Sequence, residues 1–283
     1  MAPLVSFNPI PIYVIAMKNS SDRRKTMTER LAALNMEFTF VDAVIGRDLT
    51  PAQISEITSP SRQNHLPSPL SHSAIGCGLS HLEIWKKLAA GDAPMALVLE
   101  DDAVLSEDII PILNRLTKLE DKIDIVNLHR RGTRPLIDVA QLSEKYRLTS
   151  CRYNSRGTES YVITKKAAAK LAELYLPMEY EVDLFMNRWW DHGLHVLTMN
   201  PQLVWEDDTP STIGYANNKP IWPNDTWRHS LMRRINRGWS SMQKRKLYPS
   251  MVATAKMRLM GLDPNDVGNN PEFPNLVKMT ADD

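Results

Sequence analysis

Hydrophobic residues along the chain fall into short continuous runs that alternate with segments of helical spacing. Residues 12–15 are β-branched and aromatic, which predicts a buried strand. A helix is expected from about residue 22 to residue 34, with Ser20 or Ser21 as its N-cap, and residues 38–41 predict a second strand. A strand, a helix and a strand in this order favour an α/β fold with parallel pairing.

The same alternation continues downstream. Residues 74–88 have apolar positions at helical spacing, and residues 95–99 form an apolar run that stops at three acids. That run predicts a central strand that carries the acids at its carboxyl end. Further elements are predicted as strands at 123–128, 161–163 and 194–198, and as helices at 165–174, capped by Thr164, and at 182–191.

Two segments depart from this alternation. Residues 58–73 are rich in proline and serine, which predicts a loop, and a loop of this length is a candidate lid. Residues 226–262 contain nine Lys and Arg residues and no Asp or Glu. We therefore predict a catalytic domain over 1–225 and a basic C-terminal extension over 226–283. The extension either lies on an anionic membrane surface or packs as an ordinary helix, and the sequence leaves both open.

Composition and charge narrow the class of protein. The chain is 43% hydrophobic and 24% charged, as in ordinary globular proteins, and its net charge of +1 gives no field that attracts nucleic acid. No apolar stretch approaches the roughly 18 residues that span a bilayer, and no secretory signal is expected. A cytoplasmic protein is expected, at most peripheral on the inner face of the inner membrane. Cys77 and Cys151 lack the spacing of a structural zinc site.

The sharpest chemical feature is the acid triplet Glu100, Asp101 and Asp102 at the predicted strand end. Three neighbouring carboxylates repel one another unless a cation or a proton compensates them. Mg²⁺ and Mn²⁺ prefer oxygen ligands, and such an ion stabilises a departing diphosphate. Glu100 and Asp102 are the predicted metal pair. The alternative is a solvated strand end whose acids cap the next helix.

Three other features carry candidate chemistry. Arg23 and Arg24 follow the first strand, where arginine suits phosphate oxygens, although they also fit an exposed basic helix turn. His81 is either a ligand contact or a core histidine. Asp183, at a predicted helix start, is either a general base or an acid stabilised by the helix dipole.

Taken in order, these segments resemble glycosyltransferase family 25, the lipooligosaccharide galactosyl- and glucosyltransferase family. Residues 13–24 are similar to the family's strand followed by D-R-R, residues 43–46 to its A-x-x-G motif, and residues 76–81 to its G-C-x-x-S-H motif. Residues 97–102 are similar to its L-x-L-E-D-D motif and residues 160–164 to its G-Y-x-I-S motif. Its late V-D and P-x-L-V elements correspond to residues 182–183 and 201–204. Two departures are Ser160, where the family often has glycine, and Glu206, where it often has glutamine.

The resemblance implies a GT-A-like α/β fold, with a mixed, mostly parallel sheet flanked by helices. It implies inverting transfer of a hexose, galactose before glucose, from a UDP-hexose to a lipid-linked or oligosaccharide acceptor of a bacterial surface glycan, with Mn²⁺ or Mg²⁺. Glu100 and Asp102 would hold the metal, and Glu206 would replace a downstream ligand. Asp183 would be the base, with Asp208 as the second candidate.

The resemblance also implies a donor pocket. Its expected members are Asn19, Arg23, Arg24 and Asp42 on the nucleotide side, together with Gly76, Ser80, His81 and Asp101. Two other classes stay open. A nucleotidyltransferase acting on sugar phosphates uses a similar sheet, but it usually carries a glycine-rich N-terminal loop that this chain lacks. The other class is a catalytically inactive glycan-binding or scaffolding protein. The intact acid triplet argues against this class.

Overall fold

The computed structural model of the protein describes residues 10–58, 70–132, 134–152, 157–207 and 227–262. Three of the expectations fall wholly or partly elsewhere. Asp208, residues 59–69 of the predicted loop and the predicted boundary at residue 225 lie outside the described residues.

Ten strands in the described ranges form an eight-stranded sheet and a two-stranded ladder. They are β1 (Ile12–Ala16), β2 (Thr39–Asp42), β3 (Met95–Glu100), β4 (Ala103–Leu105), β5 (Ile125–Asn127), β6 (Leu136–Gln141), β7 (Arg147–Cys151), β8 (Ser160–Thr164), β9 (Val196–Asn200) and β10 (Val204–Glu206). The large sheet has the order β2-β1-β3-β8-β5-β9-β7-β6, and β4 pairs with β10.

Six strands of the large sheet run in one direction, and β7 and β8 run in the other. The predicted fold class, an α/β protein with a mixed, mostly parallel sheet, is confirmed. Strands β1 and β8 are buried along their whole length, and β3 is buried up to its last residue. Continuous apolar runs of this kind occur where helices cover both faces of a sheet.

Eight α-helices flank the sheet within the described ranges. They are α1 (Ser21–Ala33), α2 (Pro51–Ile57), α3 (His72–Ala90), α4 (Ile109–Thr117), α5 (Lys165–Leu174), α6 (Val182–Met186), α7 (Trp189–His192) and α8 (Trp227–Met260). Thr164 caps α5 as predicted, because its hydroxyl accepts the Ala167 N–H at 3.3 Å. Ser20 is the N-cap of α1, but its side chain makes no capping hydrogen bond.

The single helix predicted over 182–191 is wrong, since the structure has two short helices there. Asn187 ends α6, where its backbone N–H and its side-chain amide both donate to the Asp183 carbonyl, at 3.2 and 2.8 Å. The chain then restarts as α7 at Trp189. This break leaves Asp183 in the first turn of a helix only five residues long.

The two halves of α8 differ in their surroundings. Tyr248, Met251 and Val252 are buried, and the Tyr248 hydroxyl donates to the Ser150 carbonyl on β7 at 3.0 Å. Ile235 and Trp239, nearer the start of the helix, are more than half exposed. The second half of α8 is therefore packed on the sheet, whereas the first half presents apolar side chains to solvent.

A buried ion pair ties the end of α8 to the sheet. Asp124 is 3% exposed and accepts the His195 N–H and an Arg258 guanidinium N–H, both at 2.9 Å. Burial opposes ionisation of this carboxyl. The hydrogen bonds from His195 and Arg258 outweigh burial and hold the pKa of Asp124 well below its usual range.

We expect Arg258→Ala to lower the free energy of unfolding by about 3 kcal/mol, because it leaves the Asp124 carboxylate buried without its cation. Urea denaturation at pH 7 measures this, with Lys256→Ala on the same helix as the control. The depressed pKa of Asp124 stabilises the fold above the unfolded-state pKa of about 4, and this contribution fades as the pH falls further. Equal urea midpoints for the two variants would contradict the role of the pair.

Candidate functional site

A cavity of about 190 Å³ opens at the carboxyl ends of β1 and β3, where ligands bind in open α/β sheets. Its wall combines the end of β1, the segment after β2, one face of α3 and the start of the acid triplet. The lining side chains and backbone belong to Ile15, Ala16, Met17, Ala43, Val44, Ile45, Gly46, Arg47, Ser73, Cys77, Ser80, His81, Glu100 and Asp101.

Glycine and serine on α3 shape the cavity wall. A Cβ atom on Gly76 would overlap the Val44 carbonyl, so only glycine lets the segment after β2 lie directly on the helix. The buried Ser80 hydroxyl donates to the Gly76 carbonyl at 2.8 Å and accepts the Val44 N–H at 2.9 Å. Gly76 and Ser80, predicted as pocket residues, thus fix the backbone that forms the wall.

Glu100, the last residue of β3, is held by two neighbours. The Thr158 hydroxyl donates to its Oε1 at 2.6 Å, and the Nε2 atom of buried His81 lies 3.7 Å from the same oxygen. Burial alone would raise the pKa of Glu100, but His81, Thr158 and the Arg131 charge outweigh burial and lower it. Glu100 is therefore an ionised carboxylate at the cavity wall.

His81 is also part of the core, because its Nδ1 atom lies 2.8 Å from the Tyr161 hydroxyl. That hydroxyl accepts the Trp85 indole N–H at 3.0 Å as well. The core alternative for this histidine describes its packing, whereas its contact with a ligand stays a prediction. It packs in the core, and it faces a site carboxylate.

Arg23 lies beside both Asp101 and Asp102. Arg23 is paired with Asp101, and its Nη1 atom lies 3.8 Å from Asp102 Oδ2. Burial, together with the charges of Glu100 and Asp101, raises the pKa of Asp102 to about 6, although Arg23 opposes this. The Asp102 Oδ1 atom is buried and has no hydrogen-bond partner. The raised pKa of Asp102 reflects repulsion among these acids, which either a proton or a cation would relieve.

The remaining nucleotide-side residues lie at the ends of β1 and β2. Arg24 is paired with Asp42, and it donates to the Met17 and Ala16 carbonyls at 3.0 and 3.1 Å. It therefore joins the two strand ends beside the cavity. Asn19 is exposed in the turn between β1 and α1.

Asp183 lies close to the residues that support the acid triplet. Its Oδ2 atom accepts the Gly157 N–H at 3.3 Å, and its Oδ1 atom accepts the Leu184 N–H at 2.7 Å. Gly157 has a φ of +101°, and a Cβ atom there would strike the Glu159 carboxylate. Residues 157–159 therefore connect Asp183 with Glu100 and Glu159, a link that the sequence pattern did not reveal.

The thiol of Cys77 lies on the cavity wall among these acids. Burial, followed by the charges of Glu100 and Asp183, raises its pKa well above the usual range. A neutral thiol is neither a strong nucleophile nor a metal thiolate. No disulfide joins Cys77 to Cys151.

A second cluster lies beside the acid triplet and was not predicted from the sequence. Strand β10 pairs with β4 so that Glu206 stands opposite Ala103, one residue beyond Asp102. Glu206 lies with His129 and Glu159, and the potential ligand atoms of these three residues are all within 4.8 Å of one another. The structure thus groups Glu206 with His129 and Glu159, and not in one such cluster with Glu100 and Asp102.

Comparison with known proteins identifies a family of similar sequences. The profile of glycosyltransferase family 25 (LPS biosynthesis protein) matches residues 9–186, which include the cavity, the acid triplet and Asp183. Human procollagen galactosyltransferase 2 is 25% identical over 271 residues, covering 86% of this chain and 42% of its own length. A Haemophilus influenzae protein provisionally described as a glycosyltransferase is 28% identical over 176 residues, 60% of each chain.

A third relative of the same family is named as a probable inactive protein. A rat protein named as a probable inactive family 25 member is 25% identical over 260 residues, covering 82% of this chain and 44% of its own length. The chain thus spans less than half of the human and rat relatives that it matches.

Proposed function

The chain belongs to glycosyltransferase family 25, and from this premise we propose that it transfers a hexose from a UDP-sugar to a glycan acceptor with inversion at the anomeric carbon. Galactose is the proposed sugar and glucose the second choice. The galactosyltransferase name of the human relative supports this order. The proposed acceptor is a lipid-linked or oligosaccharide precursor of a bacterial surface glycan, in keeping with the family description.

The observation that carries this proposal is the acid triplet at the mouth of the cavity. Its carboxylate oxygens suit Mn²⁺ or Mg²⁺, and the partnerless Asp102 Oδ1 atom together with the raised pKa of Asp102 fits a bound cation. Glu100 and Asp102 would hold the ion. When bound, the ion neutralises charge on the departing diphosphate.

The side chains around the triplet have separate proposed tasks. Arg23, beside Asp101 and Asp102, adds positive charge next to the diphosphate. Asp183 takes the proton of the acceptor hydroxyl, and its two backbone hydrogen bonds fix the direction of its carboxylate. The acceptor hydroxyl must approach in line, on the face opposite the leaving group.

Calorimetry on the purified protein tests this function. UDP, UDP-galactose and UDP-glucose are titrated with and without Mn²⁺, and released UDP is measured after addition of a glycan acceptor. We expect binding that requires Mn²⁺, with UDP-galactose the tightest sugar nucleotide. Failure of every UDP compound to bind would reject the donor site, and binding without transfer to any acceptor would favour an inactive family member.

The start of α8 is the proposed membrane contact. Ile235, Trp239 and Met242 are each more than half exposed and recur at helical spacing in a segment without acidic residues. Within the described ranges, every helix is too short or too polar to cross a bilayer. Binding parallel to an anionic lipid surface would bring the enzyme to a lipid-linked acceptor, and each Lys or Arg near that surface contributes about 1 kcal/mol.

We expect the protein to sediment with anionic vesicles and far less with zwitterionic ones. The double variant Trp239→Ser and Met242→Ser should weaken binding to anionic vesicles by at least about tenfold, because it removes apolar area that inserts between headgroups. Leu174→Ser, at an exposed leucine on α5, is the matched control. Equal sedimentation of the double variant and the control would argue against the contact.

A further inference from the structure

The ends of three strands meet beside the acid triplet, and they carry His129, Glu159 and Glu206. His129 follows β5, Glu159 precedes β8, and Glu206 ends β10. The His129 Nε2 atom is 3.7 Å from Glu159 Oε2 and 3.5 Å from Glu206 Oε1. His129 and Glu159 are more than nine-tenths buried, and neither Nε2 nor Oε2 has a hydrogen-bond partner.

The hydrogen bond on the other side of the His129 ring fixes its tautomer. Its Nδ1 atom lies 3.1 Å from the Val204 carbonyl oxygen, which can only accept, so Nδ1 carries the proton. The Nε2 lone pair then points toward carboxylate oxygens. A backbone carbonyl behind a neutral imidazole is the usual support of a metal-binding histidine.

Charge also favours a cation between these atoms. The Arg131 guanidinium lies 2.6 Å from Glu159 and 2.5 Å from Glu206, so it balances one of the two carboxylates. The other carboxylate charge, next to the more than nine-tenths buried Glu159 side chain, is left for a proton or a cation to compensate.

The spacing argues against a proton held between Glu159 and His129. A proton on Glu159 donated to His129 would bring Oε2 and Nε2 to about 2.7–2.9 Å. Two ligands held about 2.1 Å from a tetrahedral ion lie about 3.4 Å apart. The observed 3.5 and 3.7 Å resemble the second arrangement.

We propose that His129, Glu159 and Glu206 bind a divalent transition-metal ion of the Zn²⁺ class, at a site separate from the donor ion at Glu100 and Asp102. One imidazole nitrogen and two carboxylate oxygens are the ligands, and the fourth position is open to water. Glu206 is 34% exposed and gives the ion a route from solvent. The Glu100 N–H donates to the Glu159 carbonyl at 2.9 Å, so the two sites share one backbone link.

Equilibrium dialysis of the full chain with Zn²⁺ and visible spectroscopy with Co²⁺, both without nucleotide, test the site. We expect one bound ion in the wild type and in Asp102→Ala, and an intense visible Co²⁺ band of a four-coordinate ion. His129→Ala and Glu206→Gln should each weaken binding about 100-fold or more. Glu144→Gln, at an exposed glutamate, is the matched control. Thermal unfolding confirms that each variant is folded.

Two results would overturn this second site. Binding that survives His129→Ala but is lost in Asp102→Ala would place the ion at the donor acids. Absence of a bound ion in both Asp102→Ala and the wild type would mean that the cluster holds a proton instead. Neither result affects the proposed sugar transfer, which is judged separately by UDP binding with Mn²⁺ in the same preparations.

Discussion

Asp102→Asn is expected to lower the rate of sugar transfer on the order of 10³-fold and to abolish Mn²⁺-dependent UDP binding. The substitution removes a negative charge from the proposed metal pair, and a metal contributes several kcal/mol to stabilising a leaving diphosphate. Initial rates at saturating donor and acceptor, followed by release of UDP, measure the effect. The amide keeps the shape of the side chain, so the loss reports charge rather than packing.

The same substitution should stabilise the metal-free protein. Burial and two neighbouring acids raise the pKa of Asp102 to about 6, so the ionised form disfavours the folded state at neutral pH. Removing that charge is expected to raise the free energy of unfolding by about 2 kcal/mol at pH 7, after allowance for partial exposure. The gain should be full above pH 6 and should disappear as the pH falls toward 4.

Asp138→Asn is the control for both measurements. Asp138 is an exposed carboxylate on β6, and it pairs with Arg147 on β7. We expect that variant to keep its transfer rate and to change stability by less than about 1 kcal/mol. If Asp102→Asn lost activity and also unfolded more easily at pH 7, the loss would reflect damage to the fold, and the electrostatic account of the triplet would be wrong.

The sequence pattern predicted the buried centre of the fold well, because burial on both faces leaves continuous apolar runs. Strands β1, β3 and β8 lie within two residues of their predicted positions. Helix α3 follows its apolar spacing, and α5 begins at its predicted cap. The position of Glu100 at a strand end also follows directly from where the run stops. Such features depend on neighbours in the sequence, which a pattern can show.

Elements whose stability comes from distant partners were missed. Strands β4 and β10 have three residues each and exist only because they pair with one another across about a hundred residues. Strand β6, which forms a hairpin with β7, is largely exposed. Its sequence therefore shows neither a continuous apolar run nor a regular alternation of apolar and polar residues. These strands depend on tertiary pairing, which the local sequence does not indicate.

The second cluster was missed for the same reason. His129, Glu159 and Glu206 come from parts of the chain up to 77 residues apart, and each alone resembles an ordinary polar residue at a strand end. Glu206 was predicted as a metal ligand because it follows a family motif. Nothing in the sequence indicated that it lies beside His129 or Arg131. Only the pairing of β5 with β8, and of β10 with β4, brings these side chains together.

Asp183→Asn is expected to lower kcat by about 10²–10⁴-fold, the usual contribution of a general base, while KM changes by less than about threefold. An amide cannot take the proton of the acceptor hydroxyl. Its single amide oxygen can still accept the Leu184 N–H, so the first turn of α6 should keep its geometry, while the Gly157 N–H loses its acceptor. Steady-state kinetics with varied acceptor separate the two constants.

Asp191→Asn supplies the matched control for this last prediction, because Asp191 is an exposed acid on neighbouring α7 that pairs with Arg188. Its kcat should stay near that of the wild type. Donor binding should be unchanged in Asp183→Asn, since the proposed base acts on the acceptor and the proposed donor ion lies at Glu100 and Asp102. If kcat survived in Asp183→Asn, the base would have to lie elsewhere, and Asp208→Asn would then be expected to show the loss.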